Sequence, residues 1–242
     1  MVPYFLWVRE DGTLRSKLRV AEGFSNLWSS IASLPSRKSL LAYLLSSMFY
    51  RDALNGLYSF GGTYAVLVLN WNIVKLGQFG IIAAISAAFF SWLGGFFDQR
   101  LGPKPIIITV TLILTLVCFV IVNTSPEQVF GIPVSIGSNT PDIVFYICGV
   151  FIGGMGGILQ SASRSMMVRH AEPERATEAF GLYALSGRAT AFLAPTLIGI
   201  VTAVSGDARI GISPLVALFI IGLLFLIWVN PNGESDQWSA KT

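Results

Sequence analysis

Apolar residues run in long blocks through most of this chain, and a block of about twenty is what a helix needs to cross a hydrocarbon core roughly 30 Å thick. Six such blocks predict six helices. The first covers 40–71 and is interrupted by Tyr50-Arg51-Asp52 and by Asn55. The second, 77–97, and the third, 105–122, contain no charge. The fourth covers 143–163, the fifth 178–204 and the sixth 211–229. The segments between them are short and polar, apart from 123–142, where Pro126, Gly131, Pro133, Gly137 and Pro141 punctuate an external connection.

Basic residues give these helices a direction. Arg100 and Lys104 lie between the second and third blocks, and Arg164, Arg169 and Arg175 between the fourth and fifth. With the basic N-terminus they fall on one side of a six-span bundle; the opposite loops hold only Lys75 and Arg209. The positive-inside rule then places both termini in the cytoplasm of a multi-pass protein of the cell inner membrane. The expected organisation is a cytoplasmic segment 1–38, a six-helix bundle 39–230 and a cytoplasmic tail 231–242.

Composition changes this picture little. The chain is 53% hydrophobic and 12% charged, with a net charge of +3 and a mean hydropathy of +0.67. A soluble domain carries about 25% charged residues, so this balance cannot cover a globular surface. The small positive excess does not suggest a nucleic-acid partner. Cys118 and Cys148 each sit in an apolar block and read as small core residues. The single histidine, His170, falls in a charged loop. No Ser/His/Asp set, HExxH or phosphate loop is visible, so the expectation is a non-enzyme without metal or cofactor.

Polar residues inside the apolar blocks are the candidates for function. A guanidinium at bilayer depth costs about 2.5 kcal/mol or more, so it normally faces a water-filled cavity or a partner. Arg188 falls near the midplane if its helix starts at Glu178, where it could meet a carboxylate; a start near Ser186 would leave it interfacial. Tyr183 lies on the same block. In the first block Asp52, Asn55 and Ser59 are spaced i, i+3 and i+7 and share a helical face. Asp52 would bind a proton or cation with Asn55, unless Arg51 and Asp52 form a local interfacial pair. Gly61-Gly62 follows as an expected bend of the kind that surrounds substrate in transporters. In the fourth block Gly149, Gly153 and Gly157 form a small-xxx-small stripe suited to close helix packing. Gln160 reads equally as substrate contact or packing residue, whereas Arg164 reads as a snorkelling side chain.

The turn Gly95-Phe96-Phe97-Asp98-Gln99-Arg100-Leu101-Gly102-Pro103-Lys104 resembles the cytoplasmic signature of the major facilitator superfamily, G-x-x-x-D-R-x-G-R-K. Gly95, Arg100, Gly102 and Lys104 match; Gln99 stands at the usual acid position, with Asp98 one residue before it. Three further stretches narrow the resemblance: Tyr50-Arg51-Asp52-Ala53-Leu54-Asn55 with Phe60-Gly61-Gly62-Thr63-Tyr64, Gln160-Ser161-Ala162-Ser163-Arg164-Ser165, and Phe180 through Thr190. Together these resemble the vacuolar amino-acid effluxer-like permeases of that superfamily, over about residues 39–229. The resemblance implies secondary transport of amino acids or similar small solutes by alternating access. It also implies twelve spans in two halves, of which this chain matches the second, with 1–38 matching the linker between halves. The expected fold is therefore an all-α membrane protein of six transmembrane helices, equivalent to one half of that fold. Its expected partners are the lipid bilayer, a small-molecule solute, and an N-terminal six-helix half or a second copy of itself. The rival expectation is a non-transporting accessory subunit or a truncated remnant.

Overall fold

The apolar blocks fold as helices in the computed structural model, which describes residues 31–135, 138–172 and 175–233. The expected segments 1–38 and 231–242 fall largely outside the described residues. Eight α-helices follow a short 3-10 turn: α1 (Lys38–Leu67), α2 (Ile73–Leu101), α3 (Pro103–Val122), α4 (Thr140–His170), α5 (Ala176–Ala189), α6 (Leu193–Ser205), α7 (Ala208–Gly211) and α8 (Pro214–Leu226). The 123–139 connection carries a two-residue antiparallel hairpin, β1 (Gln128–Val129) with β2 (Ile132–Pro133), paired Gln128 to Pro133 and Val129 to Ile132.

Five segments are long and apolar enough to cross a membrane: α2, α3, α4, the pair α5–α6 and the pair α7–α8. The remaining expected span, the first block, is α1, which has 30 residues, about 45 Å at 1.5 Å per residue, but Arg51-Asp52 and its many hydroxyls keep it out of that set. Its position explains the polarity. Tyr43, Tyr50, Leu54, Leu57 and Tyr64 of α1 are all buried among other helices, so α1 lies inside the bundle, where polar groups can find protein partners. The outermost helix is the opposite case: α2 exposes Ile81, Ile85, Phe89 and Trp92, a continuous apolar face that suits lipid and not water.

Helix α4 is the centre of one side of the bundle, with α2 and α3 packed along it; α1 packs on α8 and reaches α5 and α6. The glycine stripe of α4 sets the α2 contact. A methyl group at Gly153 would fall onto the Ala83 carbonyl, one at Gly157 onto the Ser91 hydroxyl, and one at Gly149 onto the Phe79 ring. Ala83, Ala87 and Ser91 repeat every four residues on α2, so small residues face small residues, and the Ser86 hydroxyl donates across the contact to the Val150 carbonyl at 2.6 Å.

Polar clamps close both ends. At the start of α4, Asp142 accepts from Trp71 Nε1 and pairs with Lys75 at 2.5 Å, inside a cluster of Tyr64, Trp71, Phe79, Phe145 and Tyr146 rings. At the other end His170 is fully buried as the last residue of α4, which corrects its expected place in an exposed charged loop. Its ring stacks on Tyr43 and its Nε2 lies 2.8 Å from the Ser39 hydroxyl, which accepts from the Asn230 backbone N–H.

Two expected features change. Gly61-Gly62 do not break α1; the helix continues through them. The interruption lies instead in the fifth span, at residues 190–192, between α5 and α6. Pro195 gives the reason. In a continuous helix its ring would clash with the carbonyl four residues back, at Ala191, whereas in the first turn of a new helix it is tolerated.

Candidate functional site

A polar cavity of about 300 Å³ opens between α1, α4 and α5. Helix α1 contributes Arg51, Leu54 and Asn55; α4 contributes Gln160 and Arg164; α5 contributes Phe180, Tyr183 and Ala184. Helical spacing gathers them: Arg51 and Asn55 are four residues apart, as are Gln160 and Arg164, and Phe180 and Ala184, so each pair shares one face. Gln160 and Arg164 also line a neighbouring cavity of about 490 Å³, whose wall includes the hydroxyls of Ser91, Ser161 and Ser165. The two share Gln160 and Arg164 and together make one polar trough.

Arg51 is held in place. Its Nη1 donates to the Tyr183 carbonyl at 3.1 Å, and its guanidinium lies 4.2 Å from the centre of the Tyr183 ring. Tyr183 is fixed from behind by stacking on Tyr43 at 6.1 Å. Gly187 completes the seat, since a methyl group there would lie 2.6 Å from the guanidinium. Arg164 is exposed to the trough and makes no hydrogen bond or ion pair among the described residues.

Asp52 turns away from this cavity and is 1% exposed. One carboxylate oxygen accepts from the Ala194 backbone N–H at 2.8 Å, and the other has no hydrogen-bond partner. Ala194 lies in the first turn of α6, so Asp52 caps that helix from across the bundle, satisfying one of its orphan donors and complementing its dipole. It does not pair with Arg51: adjacent residues point about 100° apart on a helix. Nor does Asp52 share the environment of Asn55 and Ser59, which are both exposed. Met48 adds a third contact to the break, its carbonyl accepting from the Thr190 hydroxyl at 3.4 Å.

Of the sequence candidates, the structure thus brings Asn55, Gln160 and Tyr183 together and leaves Asp52 outside. Arg188 is exposed in the last turn of α5, on the face of Phe180 and Ala184 but one turn beyond the cavity wall. There its charge complements the negative end of the helix dipole. Arg51 and Arg164, read from sequence as part of a local pair and as a snorkelling side chain, also line the cavity, each four residues from Asn55 or Gln160.

The turn motif is structural. Gly102 has φ +79°, ψ 164°, a conformation other residues rarely adopt, which lets α3 start immediately after α2. Lys104 Nζ donates to the Val229 carbonyl at 2.7 Å, satisfying a carbonyl just past the end of α8. Arg169 reaches Pro231 O at 3.0 Å and lies against Gly102. Arg100 covers the Phe96 ring at 4.2 Å, and Gly95 has open space around it. Among the described residues Asp98 takes no part in an ion pair: its carbonyl receives the Gly102 N–H, while its buried Oδ1 has no hydrogen-bond partner there.

The chain is 22% identical over 218 residues to the uncharacterized MFS-type transporter YxiO of Bacillus subtilis, covering 90% of this chain and 47% of that protein. It is 23% identical over 212 residues to autophagy-related protein 22 of Cryptococcus neoformans, covering 84% of this chain and 36% of that one. With the Pichia angusta protein of the same name the identity is 24% over 193 residues, 78% of this chain and 33% of the other. The chain therefore spans from a third to about half of the length of the curated relatives it matches. A family model described as vacuole effluxer Atg22 like matches residues 1–237, and this chain belongs to that family.

Proposed function

We propose that this chain works as a secondary active transporter, or as half of one, and moves amino acids or similar small solutes outward by alternating access. The observation that carries the reading is the polar trough between α1, α4 and α5, which brings two arginines and two amides to one space among largely apolar helices. Charged groups inside a membrane bundle normally face a water-filled path or a partner. The relatives' names, a MFS-type transporter and autophagy-related protein 22, point the same way.

Six spans follow if α1 crosses with the five apolar segments, and the topology then puts both termini in the cytoplasm of the inner membrane. The trough opens to one side, which suits completion by an N-terminal six-helix half or by a second copy of this chain. Motion would centre on the break between α5 and α6, which α1 grips through Met48, Arg51 and Asp52. Asn55, Gln160 and Tyr183 would contact solute. Arg188, exposed beside the trough, would meet its anionic group on entry or exit, and Asp52 would exchange a proton as its contact with α6 opens.

Reconstitution in proteoliposomes tests this reading. Labelled amino acids should exchange across the bilayer, and Arg188→Ala should abolish that flux with insertion intact; unchanged flux removes Arg188 from the site. A chain that inserts stably yet gives no flux, alone or with a partner half, supports the rival reading of an accessory subunit or remnant.

A further inference from the structure

We propose that the trough is an anion subsite in which Arg51 and Arg164 together hold a carboxylate, so that it selects solutes of net negative charge over those of net positive charge. This deepens the transport reading and rests on it, because the trough is the path which that reading uses.

The charge inventory of the cavity carries the proposal. Arg51 and Arg164 both line it, and no carboxylate does, among the described residues. The nearest acid along α1, Asp52, is buried with one oxygen on the Ala194 N–H. The nearest acid on α5, Glu178, lines a different cavity with Arg37 and Arg175. Two like charges therefore face one space with no acid on its wall to balance them.

Donor geometry fits the same ligand. A guanidinium offers five N–H donors in a planar fork that matches a carboxylate. Arg51 uses one of them on the Tyr183 carbonyl and is seated by the Tyr183 ring, which keeps the others available without costing new side-chain order when ligand binds. Arg164 has all of its donors free among the described residues. Asn55 and Gln160 add neutral amides, and Ser91, Ser161 and Ser165 continue the donor-rich wall. A second carboxylate would thus find hydroxyl donors nearby. An ammonium would find only amide and hydroxyl dipoles, and a basic side chain would meet two like charges. The expected order is glutamate, then alanine, then lysine.

The test is equilibrium binding of tritiated L-glutamate to the purified full chain in lipid nanodiscs, with unlabelled L-alanine and L-lysine as competitors. Glutamate should compete at concentrations at least about tenfold below lysine, the ratio expected for one charge-assisted contact. Arg164→Gln should weaken glutamate binding by about tenfold or more, and Arg164→Lys should restore part of the loss. Because Arg164 has no partner among the described residues, its variants should fold as the parent does; Arg51→Gln should act in the same direction. Equal competition by lysine, no glutamate binding at all, or parental binding by both Gln variants would overturn the proposal. Counterflow of the same solutes in proteoliposomes separates the two readings. The charge order in binding with no flux sinks transport and leaves the anion subsite standing; flux without a charge order does the reverse.

Discussion

Along α2 and α4 the backbones touch through small residues, whereas α1 reaches the broken pair α5 and α6 mainly with polar groups. The first contact is close: Ala83 lies against Gly153, Ala87 and Ser91 lie against Gly157, and the Phe79 ring lies against Gly149. The second adds separate polar bonds to its packing: Arg51 on Tyr183, Thr190 on the Met48 carbonyl and Asp52 on the Ala194 N–H, beside the Tyr43–Tyr183 stack and the approach of Gly56 to Ala194. Apolar side chains gain little by leaving lipid, so van der Waals fit holds a membrane helix pair together and any lost fit is felt directly. A polar bond contributes only about 0.5–1.5 kcal/mol net and can exchange partners. From this difference we expect the stiff part of the bundle at α2–α4 and the part able to rearrange at the α5–α6 break.

The largest effect should come from breaking the stiff contact. Gly153→Val places its branched side chain against the Ala83 backbone, which cannot rotate away. We expect a loss of about 3 kcal/mol, the upper end for overpacking, read as a large fall in the melting temperature of the micelle-solubilised protein. A near-parental melting temperature would mean that the α2–α4 contact is loose.

Next comes the cap. Asp52→Ala leaves the Ala194 N–H buried without an acceptor and should cost about 1–3 kcal/mol. Asp52→Asn keeps a side-chain oxygen for that N–H and should recover much of the loss. If the two variants melt together, the cap is not what holds α6 to α1.

A third substitution puts the same methyl group on the movable side. Gly187→Ala meets the tip of Arg51 instead of backbone, so the guanidinium swings aside. Stability should fall by less than about 1 kcal/mol, the scale of the cation–π contact with Tyr183. Glutamate binding should nevertheless weaken, because Arg51 loses its seat. Parental binding would show that the placement of Arg51 does not matter.

Much of the fold was legible because membrane helices declare themselves by unbroken apolar length, which the bilayer imposes on any residue that faces it. Helix α1 was legible for a different reason: its polar residues are interior, and only the surrounding apolar residues betrayed a helix. The glycine stripe was readable because close backbone approach demands small residues at fixed spacing. The cavity was half readable. Asn55, Gln160 and Tyr183 were found as polar residues in apolar runs, whereas Arg51 read as half of a local pair until its contact with Tyr183 was seen, and Arg164 read as a snorkelling side chain. Asp52 was read as a proton or cation group beside Asn55, and its contact with the first turn of α6 is what no single-helix pattern could announce. Pro195 did carry the helix break, yet Gly61-Gly62 offered a more obvious place for it.

That last contrast yields the smallest and most discriminating prediction. Gly61 lies inside α1, and a methyl group built there meets nothing within 4 Å. If the glycine pair exists to let α1 bend, Gly61→Ala should impair any process that needs the bend. The unbroken helix argues otherwise: alanine loses less backbone freedom on folding than glycine and prefers helix by about 0.5–1 kcal/mol. Gly61→Ala should therefore raise the melting temperature slightly and leave glutamate binding unchanged. The same exchange at Gly153 would strike the Ala83 carbonyl and at Gly187 the Arg51 guanidinium, so three identical methyl groups should give opposite signs or readouts. A destabilised Gly61→Ala would mean that α1 flexes at this point, and the movable region would then extend from the α5–α6 break into the helix that grips it.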